Sequence, residues 1–217
     1  MGRGLGFRNV RVWLWGVDLP ADPALAAPSI RCRPVDSSDA DALAAAMAMP
    51  QDAVLTQQTW SRCYAGWVGS DIATVGWVSE ADTWVGEAAA TIRPGEGEAY
   101  IWDCRTAPPF RRRGFYRDLL TQIMADLGRH GLRRAWIATL ERPSGGYRGV
   151  KRAGFHPVLR IQYVQLGPLR WWRVRAARTG QKDEIPAARR ALRLGQIPER
   201  VGATRPSAAP PAPVPNR

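Results

Sequence analysis

The spacing of apolar positions divides the first three quarters of the chain into short segments of two different periods. Runs rich in valine, tryptophan and other strand-forming residues predict strands over residues 8–15, 30–34, 63–68, 72–79, 84–92, 99–106, 135–140 and 158–166. Helical spacing predicts helices over residues 36–49, 52–61 and 144–153, and another that begins at Tyr116. Short turns such as residues 69–71 join the strands that precede Tyr116, which indicates antiparallel pairing.

The stretch RTAPPFRRRGFYRDLL, residues 105–120, stands at the centre of this pattern. Pro108 and Pro109 continue neither a strand nor a helix, and Gly114 permits a close approach of the backbone. The first N–H groups of the following helix have no intrahelical partners, and three arginines stand beside them, so the turn suits a phosphate or pyrophosphate. Taken alone, the same residues also fit a solvated, arginine-rich helix start. They match neither the Walker loop nor the G-x-G-x-x-G pattern.

The order of these segments resembles the GCN5-related N-acetyltransferase (GNAT) family. The family's turn, [QR]-x-x-G-x-[GA], stands here as Arg111 to Tyr116, with Tyr116 in the place of a small residue, and KRAGF at residues 151–155 is similar to the motif that closes the family's last core helix. The resemblance covers roughly residues 30–166. It implies an α/β (α+β) fold, in which a single mixed, mostly antiparallel sheet is flanked by helices. It also implies an acetyl-CoA-dependent N-acetyltransferase, which transfers an acetyl or another short acyl group from the CoA thioester to a primary amine.

The resemblance further implies where acetyl-CoA, the co-substrate, would bind. The pantetheine arm would pair with the strand before the basic turn, and the pyrophosphate would lie on the amides of the turn itself. The residues implicated are Cys104, Arg105, Thr106, Arg111, Arg112, Arg113, Gly114, Phe115 and Tyr116. For Cys104 we favour the role of a small apolar filler over that of a reactive thiol.

Acyl transfer to an amine requires a group that receives the amine proton. Asp103 is the best-placed carboxylate, since many family members carry an acidic residue at this position of the strand. Its alternative role is an ion pair with an arginine such as Arg105 or Arg134. Glu87 and Glu141 are weaker candidates for the base.

The departing thiolate is helped by an acid, and in the family this is often a tyrosine of the last core helix. That position is Val150 here, and the family's frequent asparagine falls at Pro143. Tyr147 lies about one helical turn from Val150 and is the candidate substitute, with packing or a cofactor contact as its alternative role. Three tryptophans of the predicted strands line either an acceptor pocket or the core: Trp77, Trp84 and Trp102.

Composition and net charge limit the other functions that the sequence allows. Hydrophobic residues make up 45% of the 217 residues and ten are tryptophan, which indicates a packed domain. Residues 170–217 carry 11 basic and three acidic residues, so +8 of the net charge of +12 lies there and the rest of the chain is only mildly basic. We therefore expect nucleic acid not to be the main partner. A nucleic-acid or ribosome-associated module that uses RWWRVRAAR, residues 170–178, remains one rival, and a catalytically degenerate CoA-binding domain is the other.

Other features set the expected location and organisation. Three cysteines without a C-x-x-C pair and two histidines argue against a disulfide framework and a metal site. No apolar run approaches the roughly 18 residues of a membrane span. We expect a cytoplasmic protein with no membrane partner and a small-molecule or peptide amine as acceptor; a homodimer is compatible with the sequence. The predicted organisation is an extension with a short strand (residues 1–29), an acetyltransferase-like domain (30–166) and a basic, Pro/Ala-rich, largely disordered tail (167–217).

Overall fold

The computed structural model describes residues 6–19, 28–142, 144–178 and 183–198. The strands are β1 (Phe7–Asp18), β2 (Cys32–Val35), β3 (Arg62–Val68), β4 (Asp71–Ser79), β5 (Thr83–Val85), β6 (Ala90–Ile92), β7 (Glu98–Thr106), β8 (Arg134–Leu140), β9 (His156–Leu166), β10 (Leu169–Ala176) and β11 (Leu192–Leu194). The helices are α1 (Ala40–Met47), α2 (Gln51–Gln58), α3 (Phe115–Arg129), α4 (Gly145–Arg152) and α5 (Glu184–Ala191). Short 3-10 turns precede α1, at Ser37–Asp39, and α3, at Pro108–Phe110.

Eight strands form a mixed sheet in the order β10-β9-β1-β8-β7-β4-β3-β2. Each neighbouring pair is antiparallel except β7 and β8, which are parallel. The helices α3 and α4 pack on one face, and α1, α2, α5 and a three-stranded sheet, β11-β6-β5, lie against the other. The predicted fold class, a mostly antiparallel mixed sheet flanked by helices, is confirmed, and the small second sheet is added to it.

The helix α3 shows why the central part of the sequence folds as predicted. Leu119, Leu120 and Ile123 are fully buried against the sheet, as their helical spacing requires. The polar side of α3 fixes the chain before β2. Asp118 accepts a hydrogen bond from the N–H of Ser29 (2.7 Å), and Gln122 bonds the backbone on either side of residue 31.

The first strand is longer and more central than the short strand predicted in an N-terminal extension. β1 has 12 residues and lies between β8 and β9, where Leu14 and Trp15 are fully buried on opposite faces. Residues 7–18 are thus part of the domain, because both of their faces supply core. No short turn links β1 to β8 or β9, which lie more than 100 residues away in the chain.

The segment beyond residue 166 is also more ordered than predicted. β10 pairs with β9 along eight residues, and α5 buries three alanines against the sheet. The prediction of a largely disordered tail is therefore wrong for residues 169–176 and 184–194, whereas residues 199–217 lie outside the described chain. The strand predicted over residues 84–92 is instead the hairpin β5–β6, whose turn places Ala89 at φ 46°.

Candidate functional site

The two parallel strands β7 and β8 separate at one end of the sheet. They pair from Glu98 and Arg134 as far as Ile101 and Ile137. Beyond that point β7 stays paired with β4, and β8 stays paired with β1. Within the described chain, no backbone ladder joins residues 102–106 to residues 138–140. We call this opening the splay. An extended ligand with amide groups could pair with such a free strand edge.

A β-bulge at Asp103 accompanies the separation. Trp102 pairs with Trp77 and Arg105 pairs with Val75, so two residues of β7 stand opposite the single Gly76 of β4. Asp103 has a left-handed φ of 45°, a conformation that aspartate tolerates better than most residues. Because a bulge bends its strand, this one turns the end of β7 away from β8.

The basic turn lies at the open end of the splay, directly after β7. Gly114 precedes α3 with φ 88°, and no side chain of the described residues caps the first N–H groups of the helix. Arg111, Arg112 and Arg113 are all exposed, and the Nε of Arg111 donates a hydrogen bond to the carbonyl of Thr106 (3.2 Å). The turn thus places uncapped amides and exposed guanidinium groups beside the end of β7, which suits a pyrophosphate.

Two tyrosines lie on the α3 and α4 side of the splay. The ring of Tyr116 contacts Gly149 of α4, and burial raises the pKa of Tyr116 well above its usual value, with a contribution from Cys104. The ring of Tyr147 packs edge-on against Trp15, with 5.0 Å between ring centroids. Its backbone N–H donates to the cap residue Ser144. The packing role considered for Tyr147 is thus present, and its phenol lies on the same face of the sheet as Tyr116.

The candidate base lies on the opposite face of the sheet. Both carboxylate oxygens of Asp103 accept hydrogen bonds from Arg105, at 2.6 and 2.8 Å. The guanidinium of Arg105 also donates to the carbonyl of Met47, the last residue of α1 (3.3 Å). Of the two arginines considered as partners, Arg105 is the one bound, whereas Arg134 pairs with Asp18.

Aromatic side chains pack around Trp102, the residue before Asp103. Trp102 stacks on Trp60 with 5.3 Å between centroids and lies 5.9 Å from Trp77, so two of the three predicted tryptophans meet there. Trp84 lies instead in the small sheet. Trp60 was not singled out from the sequence, where it falls in the helix predicted over residues 52–61; the observed α2 ends at Gln58, and Trp60 follows it in a turn.

The remaining candidate side chains have structural partners or lie apart. Burial raises the pKa of the Cys104 thiol, and its Sγ lies over Gly76, so the cysteine fills space as we favoured. Glu141 pairs with Arg160 at 2.6 Å. Glu87 is exposed in the β5–β6 turn. Among the described residues, no three His, Cys, Asp or Glu side chains are placed to hold a metal ion.

Comparisons with known proteins agree with this architecture. A model of the acetyltransferase (GNAT) family matches residues 44–144. A GNAT-family structure from Novosphingobium aromaticivorans aligns with a TM-score of 0.56 at 18% identity, over 76% of this chain and 68% of the other. A GCN5-related N-acetyltransferase from Sphaerobacter thermophilus aligns with a TM-score of 0.54 at 18% identity, over 81% of this chain and 55% of the other. No curated protein matches the chain. At such identities the likeness shows the fold.

No helix in the described ranges is long and apolar enough to cross a membrane.

Proposed function

We propose, because a model of the acetyltransferase (GNAT) family matches residues 44–144, that this protein transfers an acetyl group from acetyl-CoA to a primary amine. The observation that carries the proposal is the splay between β7 and β8, which opens beside the uncapped N-terminus of α3. A free strand edge and an anion-binding turn are the two features that a pantetheine arm with a pyrophosphate requires.

An acetyl-CoA molecule bound in the splay would contact residues of β7 and of the basic turn. The amides of the pantetheine arm would pair with the backbone of Cys104, Arg105 and Thr106. The pyrophosphate would lie on the amides from Arg111 to Tyr116, with Arg112 and Arg113 supplying positive charge. The thioester would then reach the middle of the splay, between the two faces of the sheet.

The acceptor amine would approach from the α1 face. Asp103 there offers a carboxylate directly after Trp102, which stacks on Trp60, and carboxylates and indole rings both attract ammonium groups. In the reaction the amine nitrogen bonds to the thioester carbon, the carbon–sulfur bond breaks, and CoA leaves as a thiolate. Asp103 would orient the amine and receive its proton. The phenol of Tyr147 is the proposed proton donor to the thiolate.

A CoA-binding domain without turnover is the second candidate function. Two observations on the candidate proton donor favour it. Val150 occupies the position where the family often has a tyrosine, and Tyr147 is packed against Trp15. A thiolate needs an acid less than most leaving groups, since thiol pKa values lie near 8.5. The acceptor is proposed to be a small-molecule or peptide amine, and free thiols at all three cysteines suit a cytoplasmic location.

Calorimetric titration with acetyl-CoA tests the proposal. The test variant is Gly114→Asp, which puts a carboxylate at the pyrophosphate position. The matched control is Gly131→Asp, because Gly131 follows the other end of α3 and has a similar φ of 82°. We expect binding by the wild type and the control and loss of binding in Gly114→Asp. No binding by the folded wild type would overturn the proposal. Binding without release of CoA thiol across a panel of amines would favour the second candidate.

A further inference from the structure

One corner of the large sheet carries an exposed apolar cluster. Phe7, Leu166 and Leu169 form a single cross-strand row at the ends of β1, β9 and β10, and their exposed fractions are 64%, 41% and 63%. Trp171, which is 46% exposed, lies in the next row on the same face. These four are half of the eight large hydrophobic side chains that are exposed in the described chain, so we treat them as one surface, the apolar corner.

Arginines surround the apolar corner on both faces of the sheet. Arg8 and Arg170 follow Phe7 and Leu169 directly in sequence and belong to one row on the opposite face. Arg11 and Arg173 lie in the third row on the corner's own face. The only acidic residue in the three strands is Asp18, at the far end of β1. Glu141, which follows β8, lies 3.8 Å from Arg11 and offsets its charge. Arg8, Arg170 and Arg173 still leave the surface positive, so its electrostatic complement is an anion.

We propose that the apolar corner docks on a membrane surface rich in anionic phospholipids, with the row of Phe7, Leu166 and Leu169 inserted among the headgroups and the arginines on lipid phosphates. This differs from the expectation of no membrane partner, and it is independent of the proposed catalytic function. Aliphatic side chains with a flanking tryptophan and arginines match the apolar, interfacial and charged layers of a lipid surface.

The composition of the corner favours lipid over other partners. Leucines offer no ring on which a base can stack, so single-stranded nucleic acid would leave Leu166 and Leu169 unused. A second copy of the chain would bury little, since four partly exposed side chains provide about half of the roughly 800 Å² per partner that a stable dimer needs.

Flotation of the full chain with vesicles tests the proposal. The probes are vesicles of phosphatidylcholine alone and vesicles with about one third phosphatidylserine, a composition chosen to give a strongly anionic surface. The first test variant is Leu166→Ser/Leu169→Ser, with Leu55→Ser as control, because Leu55 is exposed to a similar extent (39%) on α2. The second is Arg8→Gln/Arg170→Gln, with Arg189→Gln on α5 as control.

We expect binding to anionic vesicles, weaker binding to neutral ones, and loss of affinity in high salt. The Leu166→Ser/Leu169→Ser substitution should reduce the affinity for anionic vesicles at least tenfold. Each of the two arginine substitutions should reduce that affinity about fivefold. Several results would overturn the proposal: no binding by the wild type, equal binding by the test and control variants, or preference for single-stranded RNA that survives the leucine substitutions. Concentration-dependent self-association that the leucine pair abolishes would assign the corner to a second copy. If the leucine variant does not fold, the Arg8→Gln/Arg170→Gln variant and the lipid dependence of wild-type binding still test the proposal.

Discussion

Tyr116 lies against Gly149 so closely that the two positions constrain each other. A β-carbon on Gly149 would overlap Cδ1 of Tyr116, at a separation well inside any normal contact. Because Gly149 has no side chain, α4 accommodates the ring of Tyr116, which occupies the position of a small residue in the [QR]-x-x-G-x-[GA] motif. The pair joins α3 to α4 on the side of the splay where the two tyrosines lie.

Gly149→Ala is expected to destabilise the fold by about 2 kcal/mol, because overpacking costs more than alanine gains in a helix. Urea unfolding measures the change. In the Tyr116→Ala background the same substitution should be tolerated, so the double-mutant cycle should show coupling of about 1–2 kcal/mol. Gly145→Ala is the control, since a β-carbon there meets nothing within 4 Å. Equal effects of Gly149→Ala in both backgrounds would contradict the contact.

Asp103→Asn is expected to lower kcat/KM for the acceptor about 100-fold, because the amide cannot receive a proton, while the affinity for acetyl-CoA stays unchanged. Asparagine tolerates the left-handed φ of residue 103, and an exposed ion pair contributes at most about 1 kcal/mol, so the fold should persist. Asp82→Asn, which removes the partner of Arg93 elsewhere, is the control. Full activity in Asp103→Asn would show that the carboxylate is not the base and serves only as the ion-pair partner of Arg105.

The three cysteines are expected to react slowly in the folded protein. Burial raises the pKa of Cys63 and Cys104 far above the usual value, and burial with the nearby Asp118 carboxylate raises that of Cys32 to about 12. Near neutral pH very little thiolate is then present, and the thiolate is the reactive form. A chromogenic disulfide reagent should therefore release colour slowly until guanidinium unfolds the chain. One rapid equivalent in the native state would show a reactive thiol and contradict the filler role of Cys104.

Local patterns predicted α3 and the basic turn, because proline, glycine and helical spacing act within a few residues. The same patterns predicted a strand over residues 8–15 but not the central place of β1 in the sheet, because its partners β8 and β9 lie more than 100 residues away. The bulge at Asp103 was also missed, since nothing in the sequence separates a bulged aspartate from a regular strand residue. The choice between Arg105 and Arg134 as its partner needed side-chain positions, because both arginines were reasonable from their strands alone.

The buried carboxylate of Asp118 should make stability depend on pH. Its side chain is 4% exposed; burial raises its pKa, but hydrogen bonds from Arg117 and from Ser29 outweigh burial and hold the pKa below its usual value. A lowered pKa in the folded state means that the carboxylate stabilises the fold above about pH 4, the unfolded value. This contribution is lost as the pH falls toward the folded pKa.

Asp118→Asn should therefore cost about 2 kcal/mol near pH 7, the scale of hydrogen bonds to a charged group, and the difference from the wild type should shrink as the pH falls below about 4. Urea midpoints measured across this range check the prediction. Asp41→Asn, at an exposed carboxylate of α1, should leave the profile of the wild type unchanged. A difference between Asp118→Asn and the wild type that stays constant with pH would assign the loss to packing instead of charge.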